Sequence, residues 1–138
     1  MNQTTEIRDI LDRLNEEQIK PVLTTEGPVL VLAGAGSGKT RVLTSRIAYL
    51  IAEKDVPPEA ILAITFTNKA ANEMKERIGQ IVDARGMWVC TIHSMCVRIL
   101  RMYAAEAGLT QNFSIYSETE RANIIKKSFQ ECDFDDEK

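Results

Sequence analysis

A stretch of small residues between an apolar run and a Lys-Thr pair constrains this chain more than any other feature. Residues 29–40 read VLVLAGAGSGKT. The apolar run follows Pro28 and predicts a short buried strand. The glycines at positions 34, 36 and 38 let the backbone turn tightly and direct several N–H groups toward one point, and a helix that begins there adds partial positive charge. Such a loop is suited to binding a polyphosphate.

The last two residues of the stretch supply the remaining chemistry of a phosphate site. Lys39 is long enough to reach β- and γ-phosphates, and the Thr40 hydroxyl can join the coordination shell of Mg²⁺. The pattern is the phosphate-binding loop G-x-x-x-x-G-K-[ST], or Walker A motif, with Ala33 in the first position. We therefore expect ATP and Mg²⁺ as cofactors and Lys39 and Thr40 as catalytic residues. The predicted cofactor-binding residues of the loop are Ala33, Gly34, Ala35, Gly36, Ser37, Gly38, Lys39 and Thr40. The alternative is a Gly-rich turn that contains Lys-Thr by chance.

Composition sets the broad class of the protein. The chain has 138 residues, 44% of them hydrophobic, which is typical of a single domain with a core. Its net charge of −3 argues against a surface devoted to nucleic acid but allows one basic face. No apolar run is long enough for a membrane span, and the N-terminus lacks a signal-peptide core. Three cysteines suggest reduced thiols and a cytoplasmic protein.

The hydrophobic pattern predicts strands that alternate with helices. Two helices are expected before residue 26, the second capped by Asn15 and interrupted by Pro21. Further helices should follow the glycine loop, begin at Asn68, and follow Thr91 and Ser117, with Gly108 just beyond the end of the helix that Thr91 caps. Strands are expected at residues 29–32, 61–66, 87–91 and 113–116. This order predicts an α/β fold with a parallel sheet, in which the loops after the strands lie at one edge.

Four stretches of the sequence together resemble a known family. They are LNEEQIKPV at 14–22, AGAGSGKT at 33–40, ITFTNKAANEMKERI at 64–78 and CTIHSMCVRILR at 90–101. Their order and spacing resemble the Q motif and motifs I, Ia and Ib at the start of UvrD/PcrA/Rep-type superfamily 1 DNA helicases. The resemblance implies a partial RecA-like P-loop domain, with a parallel sheet flanked by helices, over residues 1–116. Residues 117–138 would begin the family's inserted helical subdomain.

The resemblance also implies roles for individual residues. Gln18 would hold the adenine through its amide, and Arg41 would lie near the nucleotide base. Single-stranded DNA would be the partner of a second group, in which Phe66 offers an aromatic surface to a base. This predicted DNA-binding group comprises Thr65, Phe66, Asn68, Thr91 and His93.

The same residues have other interpretations when the family is set aside. Gln18 could simply cap its own helix, and Phe66 could belong to the core because it follows an apolar strand. Cys90, His93 and Cys96 are three residues apart, but a fourth ligand is missing and the spacing is not that of a zinc knuckle. Cys96 is expected to face the core.

Hydrolysis of ATP requires residues that this sequence does not offer. An aspartate at the end of an apolar strand normally also holds Mg²⁺, and a neighbouring acid positions the attacking water. The acidic run 135–137 does not follow such a strand. We therefore expect the chain to be the N-terminal piece of an ATP-dependent DNA helicase or translocase of 3′→5′ polarity, as the family implies, which binds ATP with negligible turnover.

Three other hypotheses remain open. The parent protein could be a helicase–nuclease subunit involved in double-strand-break repair. The chain could also be a non-catalytic nucleotide- or DNA-binding module. A small-molecule kinase is the third, although TFTNKAANEM has no role in one. An incomplete sheet would leave an exposed edge, so self-association is also expected.

Overall fold

The structure is a computed structural model that describes residues 3–132, with side chains from Ile7 onward. Helices and strands alternate between residues 39 and 102, as the hydrophobic pattern predicts. The helices are α1 (Gln3–Leu11), α2 (Glu16–Leu23), α3 (Lys39–Glu53), α4 (Asn68–Gly79), α5 (Ile92–Met102) and α6 (Glu118–Glu131), and the strands are β1 (Leu62–Thr65) and β2 (Trp88–Thr91). A single turn of 3-10 helix, Pro58–Ala60, precedes β1. The chain is thus a mixed α/β protein. The acidic run at 135–137 lies outside the described residues.

The sheet of the described residues consists of β1 and β2. The two strands are parallel, and their register pairs Leu62 with Trp88 and Thr65 with Thr91. Helix α4 connects them, which gives the expected β-α-β unit. Both strands therefore end at the same edge of the sheet.

The predicted strands at residues 29–32 and 113–116 are wrong for the described structure, in which neither stretch is a strand. Leu30 and Leu32 are 84% and 87% exposed. A strand exists only where a neighbouring strand receives its hydrogen bonds, and β1 pairs with β2 alone within residues 3–132. An apolar run is thus insufficient to form a strand.

One hydrophobic cluster joins the first, third and fourth helices and the sheet. Ile7 of α1 and Ile78 of α4 are fully enclosed, and Ile47 of α3 belongs to the same cluster. The remaining buried members are Ala48, Ala63, Met74, Val82 and Met87. This core holds α3, which follows the glycine loop, against β1 and α4.

Local side-chain chemistry determines where several elements begin and end. Asn15 and Gln18 form the reciprocal capping box of α2, and Ser117 and Glu120 form that of α6. Helix α5 ends at Met102, earlier than predicted, but turns continue to residue 108. There Leu109 N–H donates to Ala104 at 2.8 Å and Gly108, with φ of +67°, donates to Ala105 at 3.1 Å. These two bonds form the Schellman motif that a terminal glycine favours.

The chain divides into two compact units, residues 1–96 and 97–138. The first contains the hydrophobic cluster, the glycine loop and the sheet. The second contains α6, whose Ile124, Ile125 and Phe129 are about half exposed. No helix among residues 3–132 is long and apolar enough to cross a membrane. The domain boundary expected at residue 116 stays a prediction.

Candidate functional site

The glycine loop leads directly into the first turn of α3. Gly36 and Gly38 have φ values of +75° and +85°, a backbone region that residues with a side chain rarely adopt. The Ser37 hydroxyl closes the turn by donating to the Gly34 carbonyl at 2.7 Å. Gly38 is the N-cap residue of α3, and no side chain caps this helix. The first backbone N–H groups of α3 therefore remain available to an anion.

The Lys39 side chain folds back over the loop. Its Nζ donates to the carbonyl of Gly34 at 2.5 Å and to that of Ala33 at 3.1 Å. An ammonium group has three donors, so these bonds leave one donor for a further acceptor. The ammonium charge thus lies against the carbonyls of the loop, at the position where the sequence predicts a phosphate.

Gln18 connects α2 to the loop. Its Oε1 accepts a hydrogen bond from Asn15 N–H at 3.2 Å, and its Nε2 donates to the Ser37 carbonyl at 2.9 Å. The interpretation as a helix cap is therefore correct, but it is incomplete, because the same amide also contacts the loop. A primary amide offers two donors and two acceptor lone pairs. One donor and one acceptor are left over.

Three cations surround the start of α3. A cavity of about 490 Å³ is open to solvent beside the loop. Lys39, Arg41 and Arg77 contribute its positive charges. The complete lining is Gln18, Gly36, Ser37, Gly38, Lys39, Thr40, Arg41 and Arg77. The sequence did not identify Arg77, which lies in the last turn of α4 and reaches this cavity because α3 and α4 pack together.

The residues of the predicted DNA-binding group lie at the edge where both strands end. Thr65 and Thr91 are the last residues of β1 and β2 and are partners in the register. Phe66 follows Thr65 and is 99% exposed, so its interpretation as a core residue is wrong. Asn68 begins α4 and His93 lies in the first turn of α5, both exposed. The five residues thus lie at two neighbouring strand ends and in the first residues that follow them.

The two threonines of this edge have hydrogen-bond partners. The Thr65 hydroxyl donates to the Thr67 carbonyl at 2.9 Å. Thr91 is 7% exposed, and its hydroxyl lies 2.9 Å from that of Ser94 and accepts from Ser94 N–H at 3.3 Å. Thr91 thus caps α5, as predicted. The accessible groups at this edge are the Phe66 ring and the polar side chains of Asn68 and His93.

The cysteines do not form a metal cluster in the described part of the chain. No three His, Cys, Asp or Glu side chains come together among residues 3–132. Cys96 is exposed, so its expected position facing the core is wrong. Cys90 is half-buried and Cys132 exposed, and all three are free thiols.

The fold and the site define the class of the protein. It is a mixed α/β protein whose Gly-rich loop ends in Lys-Thr. A glutamine is hydrogen-bonded to that loop, and an aromatic residue is exposed just after a strand. Comparison with known proteins specifies the family. The model of the UvrD/REP helicase N-terminal domain matches residues 14–138. The chain belongs to this family.

The chain is also similar to proteins that are named as DNA helicases. The chain is 54% identical over 131 residues to a protein of Staphylococcus aureus (strain Mu50 / ATCC 700699) named ATP-dependent DNA helicase PcrA, a match that covers 94% of the chain. It is 57% identical over 119 residues, 85% of the chain, to a protein of the same name from Staphylococcus epidermidis (strain ATCC 12228 / FDA PCI 1200). The matches cover 18% and 16% of these relatives. The chain thus spans less than a fifth of their length and corresponds to an N-terminal part.

Proposed function

We propose that this chain is the N-terminal ATP-binding segment of an ATP-dependent DNA helicase or translocase, and that residues 1–116 are part of a RecA-like phosphate-loop domain. The parent protein would act on single-stranded DNA, with the 3′→5′ polarity that the family resemblance implies. The contact between Gln18 Nε2 and the Ser37 carbonyl carries the proposal, because it joins a base-reading amide to a phosphate-binding loop across 19 residues of sequence.

The residues around the loop fit ATP. The triphosphate would lie against the N-terminus of α3 and be neutralised by Lys39, Arg41 and Arg77. Gln18 retains one donor and one acceptor, which match the N7 acceptor and the N6 amino donor of adenine. Thr40 would hold Mg²⁺ through its hydroxyl. Hydrolysis of ATP by the complete parent protein would supply the free energy for movement along DNA, and Mg²⁺ would neutralise the phosphate charge.

The exposed edge at the ends of β1 and β2 supports a DNA contact. Phe66 presents its ring to solvent, which is the arrangement that base stacking requires. Asn68 and His93 offer polar groups on either side of the two strand ends. Stacking recognises every base, so this edge would bind single strands without a sequence preference.

The test of the nucleotide site is titration of the protein with a fluorescent ATP analogue in the presence of Mg²⁺. Lys39→Ala removes a charge-assisted hydrogen bond worth about 1.5–3 kcal/mol, so we expect the dissociation constant to rise roughly tenfold or more. Lys126→Ala is the matched control, because Lys126 is an exposed lysine of α6. Equal affinities of wild type and Lys39→Ala would contradict the proposed site.

Hydrolysis is a separate readout of the same protein. We expect negligible phosphate release, because neither β1 nor β2 is followed by the aspartate and neighbouring acid that hold Mg²⁺ and position the attacking water. Rapid turnover that Lys39→Ala abolishes would contradict this expectation. DNA binding that is lost in Phe66→Ala and is indifferent to ATP would instead favour a non-catalytic module.

A further inference from the structure

The last turn of α2 is held by a side chain from α3. The Arg46 guanidinium donates through Nη1 to the carbonyls of both Pro21 and Thr24. The final carbonyls of a helix have no partner within it, and those near the end of α2 depend on outside donors. Thr24 donates to the Lys20 carbonyl through its N–H at 3.0 Å and through its hydroxyl at 2.8 Å. Arg46 thus supplies donors for two carbonyls at this helix end.

Helix α2 needs such support because it is short. It has eight residues, and an isolated helix of this length is marginal in water. Pro21 lies inside it and has no N–H to donate to the preceding turn. The helix is held by burial of Pro21 and Val22 and by the Arg46 contacts. Gln18 lies one turn before Pro21, so a displacement of the helix end would also displace Gln18.

The Gln18 amide can be displaced only a little without losing its contact with the loop. Its Nε2 lies 2.9 Å from the Ser37 carbonyl, and a Cβ placed on Gly38 would also come within 2.9 Å of Nε2. A small shift toward the loop would cause a clash, and a small shift away would break the hydrogen bond. The amide is therefore useful for recognition only if α2 is fixed relative to α3.

We propose that Arg46 is a positioning residue for base recognition. It joins α2, which carries Gln18, to α3, which begins with Lys39 and Thr40, so that the base-reading amide and the phosphate-binding residues share one rigid frame. Both bonds come from Nη1, which lies farther along the side chain than a lysine Nζ would, so lysine keeps the charge but is an incomplete replacement. This inference rests on the adenine-binding role proposed above for Gln18.

The first measurement needs no nucleotide. In NMR spectra of the protein, the Gln18 side-chain amide should have distinct, well-dispersed signals because its two hydrogen bonds fix it. Arg46→Met should move these signals toward the positions of a free glutamine amide, because the bond to Ser37 is lost while the bond to Asn15 within α2 is kept. Arg46→Lys should move them part of that way. Arg13→Met is the control, since Arg13 is an exposed arginine before α2. Unchanged Gln18 signals in a folded Arg46→Met protein would overturn the inference.

The second measurement separates base recognition from phosphate binding. ATP, GTP and inorganic tripolyphosphate would be titrated into wild type, Gln18→Ala, Arg46→Met and the double variant. We expect Arg46→Met to reduce the preference for ATP over GTP several-fold while leaving tripolyphosphate affinity unchanged. The double variant should be no less selective than Gln18→Ala alone, because both changes remove the same interaction.

The outcomes distinguish the two proposals. Equal loss of all three ligands in Arg46→Met would mean that Arg46 only stabilises the fold, which would overturn the inference. If that variant fails to fold, Arg46→Lys provides the same comparison. If wild type binds no nucleotide, or Gln18→Ala retains full ATP preference, the adenine-binding proposal is wrong. The Gln18 amide signals then still report whether Arg46 positions that side chain.

Discussion

At the scale of single residues, Gln18 resolves a choice that sequence reasoning left open. Its amide caps α2 through Oε1 and contacts the glycine loop through Nε2. The two interpretations are compatible because a primary amide has four hydrogen-bonding positions, of which these bonds use two. Phe66 resolves a second choice, between a core position and an exposed one. Its place after an apolar strand allows a core position, yet Phe66 is 99% exposed.

Phe66 gives the sharpest prediction at this scale. Phe66→Ala should weaken binding to oligo(dT) by an amount that matches the loss of one stacked base, roughly 1–3 kcal/mol. The free energy of unfolding should change by no more than about 0.5 kcal/mol, because the ring buries almost nothing. Fluorescence anisotropy and thermal melts measure the two quantities.

The control for this prediction is Tyr116→Ala, which removes another exposed aromatic residue, 63% exposed and in the second unit. It should leave DNA affinity unchanged. If Phe66→Ala binds DNA as tightly as wild type, the stacking role is excluded.

At the scale of elements, caps gave the most reliable sequence signals. Helices α2 and α6 begin where Asn15 and Ser117 predicted, each with a complete capping box. These boundaries could be predicted because their hydrogen bonds join residues three apart. The run at 29–32 was predicted with equal reason and is not a strand, because a strand depends on partners far along the chain.

The capping box of α6 predicts a response to pH. The pKa of Glu120 lies below its ordinary value because its carboxylate accepts hydrogen bonds from the Ser117 N–H and then from the Ser117 hydroxyl. A lowered pKa in the folded state means that the stabilisation is present above the ordinary glutamate pKa and is lost as pH falls through the folded pKa. We expect the protection of the amides at the start of α6 against exchange, relative to unstructured peptide at the same pH, to fall in acid.

NMR titration of the Glu120 carboxyl carbon measures this pKa directly. Glu120→Gln keeps an acceptor without the titration, so the protection of the amides at the start of α6, relative to unstructured peptide at each pH, should not fall in the same way. A Glu120 that titrates at its ordinary value would show that the capping box is not formed in solution.

At the scale of the whole molecule, some apolar side chains are enclosed in the core and others remain exposed. Ile7, Ile47 and Ile78 are enclosed between helices and sheet, whereas Leu30 and Leu32 are exposed to solvent. Apolar side chains in an extended, unpaired segment favour association with another apolar surface. This exposure supports the expected self-association.

Self-association is tested by measuring mass as a function of concentration. The average mass from light scattering should rise with concentration for wild type and stay at the monomer value for a Leu30→Lys, Leu32→Lys double variant. Ile115→Lys, at a side chain 62% exposed in the second unit, is the control and should behave like wild type. A wild-type mass that stays monomeric at every concentration would contradict the prediction.

The sequence by itself determined the features that depend on neighbours in the chain. These are the glycine loop with its Lys-Thr end, the caps of α2 and α6, and the motifs that identify the family. Their hydrogen bonds and dihedral requirements are local, so residue types a few positions apart specify them.

The tertiary structure alone decided the features that join distant segments. It brought Arg77 of α4 to the phosphate-loop cavity and Arg46 of α3 to the end of α2. It also exposed Phe66 and left residues 29–32 without a partner strand among the described residues. Such contacts depend on how helices pack and which strands pair, and the free energy of those choices is shared across the whole core rather than encoded at any one position.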